Sequence, residues 1–232
     1  MNAAIVIATY NERDNLGGLV SAIFQHVGYR IIVVDDDSPD GTGKLADELA
    51  ATYPDRVSVI HRTGARGLGR SLVAGLQRAL EGGAELIIQM DADFSHDPKY
   101  LPDMVAASAD ADLVLGSRYL KGISVVNWPL HRIVLSSFAN RYIRLITGLD
   151  VCDCTTGFRC WRREALARLP LEGLTADGYA FLVEQLHAAK RIGLRVREIP
   201  IIFVERREGS SKLSSSVLLE SAILPWRLRL KP

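Results

Sequence analysis

Leu86-Ile87-Ile88-Gln89-Met90-Asp91-Ala92-Asp93-Phe94-Ser95-His96-Asp97-Pro98 is the stretch whose reading decides the fold. Its apolar run reads as a buried parallel strand that stops at two carboxylates one residue apart, followed by a His-Asp-Pro turn. Open α/β sheets collect their ligands at this end of their strands. In an extended backbone residues i and i+2 share a face, so Asp91 and Asp93 stand within roughly 7 Å of each other. Like charges at that spacing repel. A divalent cation reverses the sign, and hard carboxylate oxygens suit Mg2+ or Mn2+, particularly when phosphates complete the shell. The competing reading makes the pair a cap for a helix opening near Pro98, but a cap uses one carboxylate and leaves the other unexplained.

Outward from this strand the pattern repeats. Ala4 to Ala8, Ile31 to Val34, Val57 to Ile60 and Leu86 to Met90 are apolar runs alternating with segments of helical period, the signature of a parallel sheet built from right-handed crossovers. The fold class is therefore α/β, with a mostly parallel, doubly wound sheet. Leu16, Leu19, Val20, Ile23 and Phe24 form the core stripe of a first helix. Asp40 opens a second helix, and Leu68 to Leu80 forms a third. Leu113 to Gly116 is a fifth strand, and Val196 to Val204 a further one. Between these last two, Trp128-Pro129 introduces a helix from Leu130 to Ile146, Asp153 to Arg159 reads as a turn-rich polar insertion, and Tyr179 to Ile192 as another helix.

At 232 residues the chain is long enough for one sizeable α/β domain, whose two halves divide at about residue 120. With 28 basic and 27 acidic side chains the formal net charge is +1, so bulk electrostatics point to no nucleic-acid partner. Cys152, Cys154 and Cys160 are three cysteines in one segment, which fits reduced thiols in a cytoplasmic protein rather than a disulfide framework, and they lack the further ligands of a zinc site. The chain opens almost directly into a strand without a leader, and no apolar run approaches the ~20 residues of a membrane span. Contact with a membrane is then expected to be peripheral, on the cytoplasmic face.

Three loops fall at strand carboxyl ends: Thr9-Tyr10-Asn11-Glu12, Asp35 to Thr42, and Asp91-Ala92-Asp93. They share one crevice in a doubly wound sheet, which lets Tyr10, Glu12, Asp36 and the Asp91/Asp93 pair converge on one ligand. Acidic groups there suit ribose hydroxyls or base N–H groups, and Tyr10 can stack on a base. So acidic a crevice holds a phosphate ester only with a cation, since each close like-charge pair costs about 4 kcal/mol in a moderately polar site. Ser38-Pro39-Asp40-Gly41 also reads as a plain turn and helix cap. Gly64 to Gly69 has its glycines in the wrong order for a dinucleotide fingerprint, and Gly41-Thr42-Gly43-Lys44 lacks the elements of a P-loop. The former is expected to give flexible backbone near phosphate.

Taken in order, Thr9-Tyr10-Asn11-Glu12, Val34 to Thr42, Gly67-Leu68-Gly69, Asp91-Ala92-Asp93, Gly116-Ser117-Arg118-Tyr119, Thr155-Thr156-Gly157-Phe158-Arg159 and Glu205-Arg206-x-x-Gly209-x-Ser211-Lys212 make the chain resemble the family 2 inverting glycosyltransferases of dolichol-phosphate or polyprenol-phosphate mannose synthase type. The resemblance implies a GT-A-type nucleotide-diphospho-sugar transferase fold and transfer of mannose from GDP-mannose to a polyprenyl phosphate. It also implies that Ala8, Tyr10, Glu12, Val34 and Asp36 contact the guanosine. Asp91, Ala92 and Asp93 then hold the metal and sugar diphosphate, while Arg118, Arg206 and Lys212 approach phosphates. Three positions depart from the family's usual residues: Ala8 replaces a proline, Ser95 stands where some relatives supply a glutamine metal ligand, and Ala65-Arg66 shifts by one position a positive charge that commonly precedes Gly-Leu-Gly.

The acceptor side follows from chemistry. A polyprenyl monophosphate is already anionic and needs aiming and charge screening more than a general base. Arg132 and Ser136 lie i, i+4 on a strongly aliphatic helix, and with Arg118 they form an acceptor-phosphate clamp that matches the resemblance. Glu184 is placed to touch sugar hydroxyls. The Leu130 to Ile146 helix and a terminal helix from Ser214 to Leu230, with Trp226 beside Arg227 and Arg229, are expected at a membrane interface, core packing being the competing role. A separate membrane subunit is compatible with this. The other readings are a UDP-glucose-dependent polyprenyl-phosphate glucosyltransferase and a non-catalytic nucleotide-sugar-binding subunit.

Overall fold

The computed structural model describes residues 2–176, 178–205 and 215–230, with the side chains of all of these except 215–221. Strand β1 (Ala3–Thr9) leads into helix α1 (Arg13–His26), β2 (Arg30–Asp35) into α2 (Thr42–Thr52), and β3 (Val57–His61) into α3 (Leu68–Glu81). β4 (Leu86–Asp91) continues through a short 3-10 turn into α4 (Leu101–Ala107). There follow β5 (Leu113–Ser117), β6 (Val125–Val126), α5 (Leu130–Thr147), β7 (Arg159–Arg162) and α6 (Arg163–Leu166). The chain then forms α7 (Gly178–Arg191), β8 (Val196–Pro200), β9 (Phe203–Val204) and α8 (Ser215–Leu230).

Seven strands join in one sheet of order β3-β2-β1-β4-β7-β5-β8. Every neighbouring pair is parallel except those made by β7, which runs antiparallel to both β4 and β5. Side chains alternate across the sheet and so feed two cores. Ala4, Val6, Ile32, Val34 and Ile87 face one cluster with Leu72 and Leu76 of α3 and Phe181 of α7, while Ile5, Ile7, Ile31, Val33 and Ile88 face the other with Leu16, Leu19 and Ile23 of α1. Helices therefore cover both faces, and the parallel strands read as continuous apolar runs because neither face meets water.

Two expectations are revised. The segment read as a turn-rich insertion gives way at Arg159 to a central strand, β7, in which Trp161 is fully buried and donates to Gln89 Oε1 at 2.6 Å. Its sequence, Arg159-Cys160-Trp161-Arg162, hides the strand because arginines occupy both ends. The fully buried Arg159 donates to Thr156 O, Gln185 Oε1 and Leu182 O, satisfying a cation that period alone assigns to solvent. The run from Val196 to Val204 is not one strand. It leaves the main sheet after Pro200, and β9 pairs with β6 in a separate two-stranded ribbon.

The strand order reverses direction between β1 and β4, where Ala8 lies opposite Asp91. Helices α1 and α4, which follow these two strands, pack on one face of the sheet and α3 on the other, and the crevice that opens at the strand ends here is where a doubly wound sheet binds ligands.

Candidate active site

β4 stays in the buried core through Met90 and ends at Asp91, after which the chain turns sharply. Asp91 is half-exposed at the strand end, whereas Asp93 is buried with Oδ1 accepting from the Ser95 N–H at 3.1 Å. Phe94, directly after Asp93, has φ of 62°, an uncommon conformation for a bulky side chain, and Asn11 and Asp37 in the two neighbouring loops share it at 58°. Three strained residues thus sit on the three loops that meet at the strand ends, as functional loops often carry. Capping of the following turn falls to Asp97, whose side chain accepts from the Lys99 N–H. Neither Asp91 nor Asp93 is needed for it.

Around the Asp91–Asp93 turn lies a cleft of about 610 Å³. Of the nucleotide-sugar residues expected from the sequence, Ala8, Tyr10, Glu12, Asp36, Asp91, Ala92, Asp93 and Arg118 line it. Val34 does not; it is fully buried in β2 beneath α3. Arg206 and Lys212 lie outside the described residues. Asp36 is held from both sides, Oδ1 by the Arg62 guanidinium and Oδ2 by the Gly67 N–H at 2.7 Å. Arg66 lies over the Tyr10 ring at 4.7 Å, donates to its hydroxyl at 2.9 Å and reaches Asp37 at 3.0 Å. Arg62 carries no motif and sequence reading missed it; its only signal is a basic residue just past the end of an apolar strand run. Gly69 has a packing role and not the flexible one expected, since a Cβ there would stand 2.8 Å from Ala176 O.

Whether the Asp91–Asp93 turn suits a divalent cation is tested by three features. Gly157 faces it, and a Cβ there would come within 3.2 Å of Asp91 Oδ1. Ser95 Oγ is buried beside the turn with no hydrogen-bond partner among the described residues, although a buried hydroxyl normally finds one. His96, also buried, accepts the Asp91 N–H at Nδ1 (2.9 Å), so its proton sits on Nε2, 3.8 Å from Asp91 Oδ2. Two carboxylates, open space and an unfilled hydroxyl fit a hard cation whose remaining ligands come from phosphate and water. Among the described residues no group of three or more His, Cys, Asp or Glu is gathered as a metal cage.

The far wall of the cleft is built by the β5 end, α5 and the loop before β7. Arg118, at 5 % exposure, gives Nε and Nη2 to the fully buried Asp153, each at 2.7 Å, and Nη2 also to Thr155 Oγ1. Burial disfavours both charges, but the pair outweighs it, raising the Arg118 pKa and lowering that of Asp153. Arg132 lies against the Trp128 ring at 4.1 Å and is bonded to Glu205. Arg118 and Arg132 line both the cleft and an adjoining apolar groove of about 400 Å³ between α5, α7 and α8. Ser136 faces the groove alone, and its Oγ accepts from the Tyr119 hydroxyl at 2.8 Å. Glu184 is buried outside the cleft and accepts the Thr175 and Ala176 N–H groups at 3.0 and 2.9 Å, which makes it a holder of the loop before α7.

Comparison with known proteins bears on family and fold. Residues 4–169 match the model of glycosyl transferase family 2. The chain is 44% identical over 229 residues to a polyprenol monophosphomannose synthase of Mycolicibacterium smegmatis, covering 97% of this chain and 86% of that one. It is 40% identical to an undecaprenyl-phosphate mannosyltransferase of Micrococcus luteus, covering 96% and 92%. A dolichol-phosphate mannosyltransferase of Pyrococcus furiosus is 37% identical, covering 95% of this chain and 61% of its own. Among solved structures, glucosyl-3-phosphoglycerate synthase from Mycobacterium tuberculosis superposes with a TM-score of 0.69 at 19% identity, over 98% of this chain and 79% of that one, which identifies the shared architecture as the GT-A fold. With its mostly parallel sheet, its acidic turn at the switch point and these similarities over nearly its whole length, the chain belongs to glycosyl transferase family 2.

Proposed function

We propose that this protein transfers mannose from GDP-mannose to a polyprenyl monophosphate with inversion, releasing GDP. One observation carries the reading: an acidic cleft runs directly into an apolar groove, and Arg118, Trp128, Arg132, Thr155 and Tyr179 line both. A nucleotide sugar and a lipid phosphate need such a junction, with the hydrophilic donor on one side, the prenyl chain on the other, and cations where the phosphate must stand. The relatives' names, which describe a polyprenol monophosphomannose synthase and mannosyltransferases of undecaprenyl phosphate and dolichol phosphate, support the same acceptor class.

In this reading Asp91 and Asp93 hold a Mg2+ or Mn2+ together with the donor's diphosphate. A cation held there would supply charge neutralisation at the leaving group. Tyr10, Glu12 and Asp36, with Ala8 beneath, receive the nucleoside, and Ala92 lies against the diphosphate. Arg132 screens and aims the acceptor phosphate. Arg118 contributes through Nη1, since Asp153 occupies its other edge. Ser136 adds a hydroxyl at the groove's mouth. An acceptor oxygen attacks C1 of mannose, the bond from C1 to the diphosphate oxygen breaks on the opposite face, and GDP departs with the electron pair. A phosphomonoester is ionised at neutral pH, so no proton need be removed.

Among the described residues no helix is long and apolar enough to cross a membrane. We place the protein on the cytoplasmic face of a membrane, held by the exposed Leu130, Val134, Phe138 and Leu145 of α5 and Trp226 of α8. A metal-supplemented panel of radiolabelled donors with polyprenyl phosphate tests the function. Label from GDP-mannose is expected in the lipid fraction, and Asp93→Ala should reduce it by about two orders of magnitude or more. Label entering only from UDP-glucose would replace mannose by glucose in the reading, and no lipid label from any donor would leave a nucleotide-sugar-binding role.

A further inference from the structure

The two arginines at the junction are both paired with carboxylates, but the pairs are built differently. Asp153 is fully buried and takes two guanidinium nitrogens of Arg118, the Arg118 N–H at 3.1 Å and the Thr155 N–H at 3.3 Å. Withdrawing it would strand a buried cation, so that pair is permanent. Glu205 touches Arg132 through one oxygen, its side chain is 27 % exposed, and no other hydrogen bond to its carboxylate occurs among the described residues. Its backbone is nevertheless anchored, because the Glu205 N–H donates to Val126 O at 3.1 Å and so extends the β6–β9 ribbon. A fixed backbone thus delivers a displaceable carboxylate to the edge of Arg132, whose face Trp128 already covers.

We propose that Glu205 is a specificity-determining residue: its carboxylate holds the acceptor-phosphate position on Arg132, admits phosphomonoesters in exchange, and retakes Arg132 when the phosphate becomes a diester. This rests on the reading that Arg132 binds the acceptor phosphate. The discrimination comes from charge. A phosphomonoester carries close to two negative charges at neutral pH and three acceptor oxygens, so it outcompetes a single carboxylate. Transfer of the sugar converts it to a phosphodiester with one negative charge. That product has no charge advantage over Glu205, which favours its release and disfavours phosphodiester lipids as ligands from the outset. Specificity here lies in a competitor built into the protein and not in an extra contact to the acceptor.

The test compares binding of a short isoprenyl monophosphate and its methyl diester, by calorimetry on the full chain, in the parent protein, Glu205→Gln, Glu205→Ala and Arg132→Ala. The parent should prefer the monoester. Both Glu205 variants should tighten the diester by about fivefold, the worth of one part-exposed ion pair, and tighten the monoester less, so that the preference shrinks. Arg132→Ala should weaken the monoester in every case. If Arg132→Ala weakens it while the Glu205 variants leave the preference unchanged or weaken both ligands, Glu205 merely positions Arg132 and the proposal fails. If Arg132→Ala leaves both ligands unaffected, it is the assignment of the acceptor site that fails.

Discussion

Arg118 and Arg132 are the same residue type fourteen positions apart, and their neighbours give them different tasks. For Arg118 the cost of burying a guanidinium is met by a carboxylate that is itself buried and bidentate, so the pair behaves as one fixed structural unit at the cleft wall. Asp153→Asn should lower unfolding free energy by about 3–5 kcal/mol in urea titrations, because it leaves a buried cation without its counter-charge. The pH dependence follows from the sign of the shift. Asp153 is held below its ordinary value once folded, so its stabilisation is fully present above the unfolded carboxylate range near ~4 and is lost only as pH falls toward the lower folded value. The cysteines of the same segment carry no such charge. Burial pushes the Cys154 and Cys160 thiols up to about 12, which makes them packing residues and not nucleophiles.

At the scale of elements, α3 shows how helix packing sets the cleft. It lies so close to the sheet that a Cβ at Gly75 would stand 2.3 Å from Val6 Cγ1 and 2.9 Å from Val34 Cγ2. The same helix begins at Leu68, beside the Gly67 N–H that holds Asp36, so displacing it would move the nucleoside wall. Gly75→Ala is expected to destabilise by about 1–3 kcal/mol through overpacking. Gly17→Ala in α1 is the control: a Cβ there meets nothing within 4 Å, and an alanine should add about 0.5–1 kcal/mol of stability by helix propensity. Thermal melts of the two variants should move in opposite directions. Strand β7 contributes at the same scale, because the buried Arg159 fixes the carbonyl of Thr156 and so steadies the loop that brings Gly157 against Asp91.

At the scale of the whole molecule, the exposed large apolar side chains among the described residues all fall from Leu120 onward, on the acceptor side. Leu130, Val134, Phe138 and Leu145 stand exposed along α5, with Ile223, Trp226 and Leu230 on α8. The two helices are tied together, the Trp226 indole donating to the Tyr142 hydroxyl at 2.9 Å and Arg229 donating to Ile146 O at 2.7 Å. Leu224 and Leu228 are meanwhile buried in the main core. Each helix therefore has a packed face and an open one, so the competing roles of core packing and interface belong to opposite sides of the same elements. Leu145→Asp should reduce sedimentation with lipid vesicles by about tenfold, the cost of losing one leucine's burial in the interface, without changing GDP affinity. Arg229 is committed to the helix pair and is a poor probe of membrane charge.

The parallel sheet, the switch-point loops and the acidic turn were legible in the sequence because each is a local pattern: an apolar run of strand length ended by polar residues, repeated with helices between. Asp91, Asp93, Tyr10, Glu12 and Asp36 meet in one cleft because parallel strands all end on one side, a consequence of topology that local pattern already implies. Tertiary structure decided what pairing decides. β7 is a central strand although its ends are arginines, because buried carbonyls and Gln185 satisfy Arg159. Likewise Arg118 belongs to Asp153, Arg132 to Glu205 and Asp36 to Arg62, partners 35, 73 and 26 residues apart. The charge of a side chain is written in its own residue; whether that charge is spent on a neighbour or kept for a ligand depends on what the fold brings beside it.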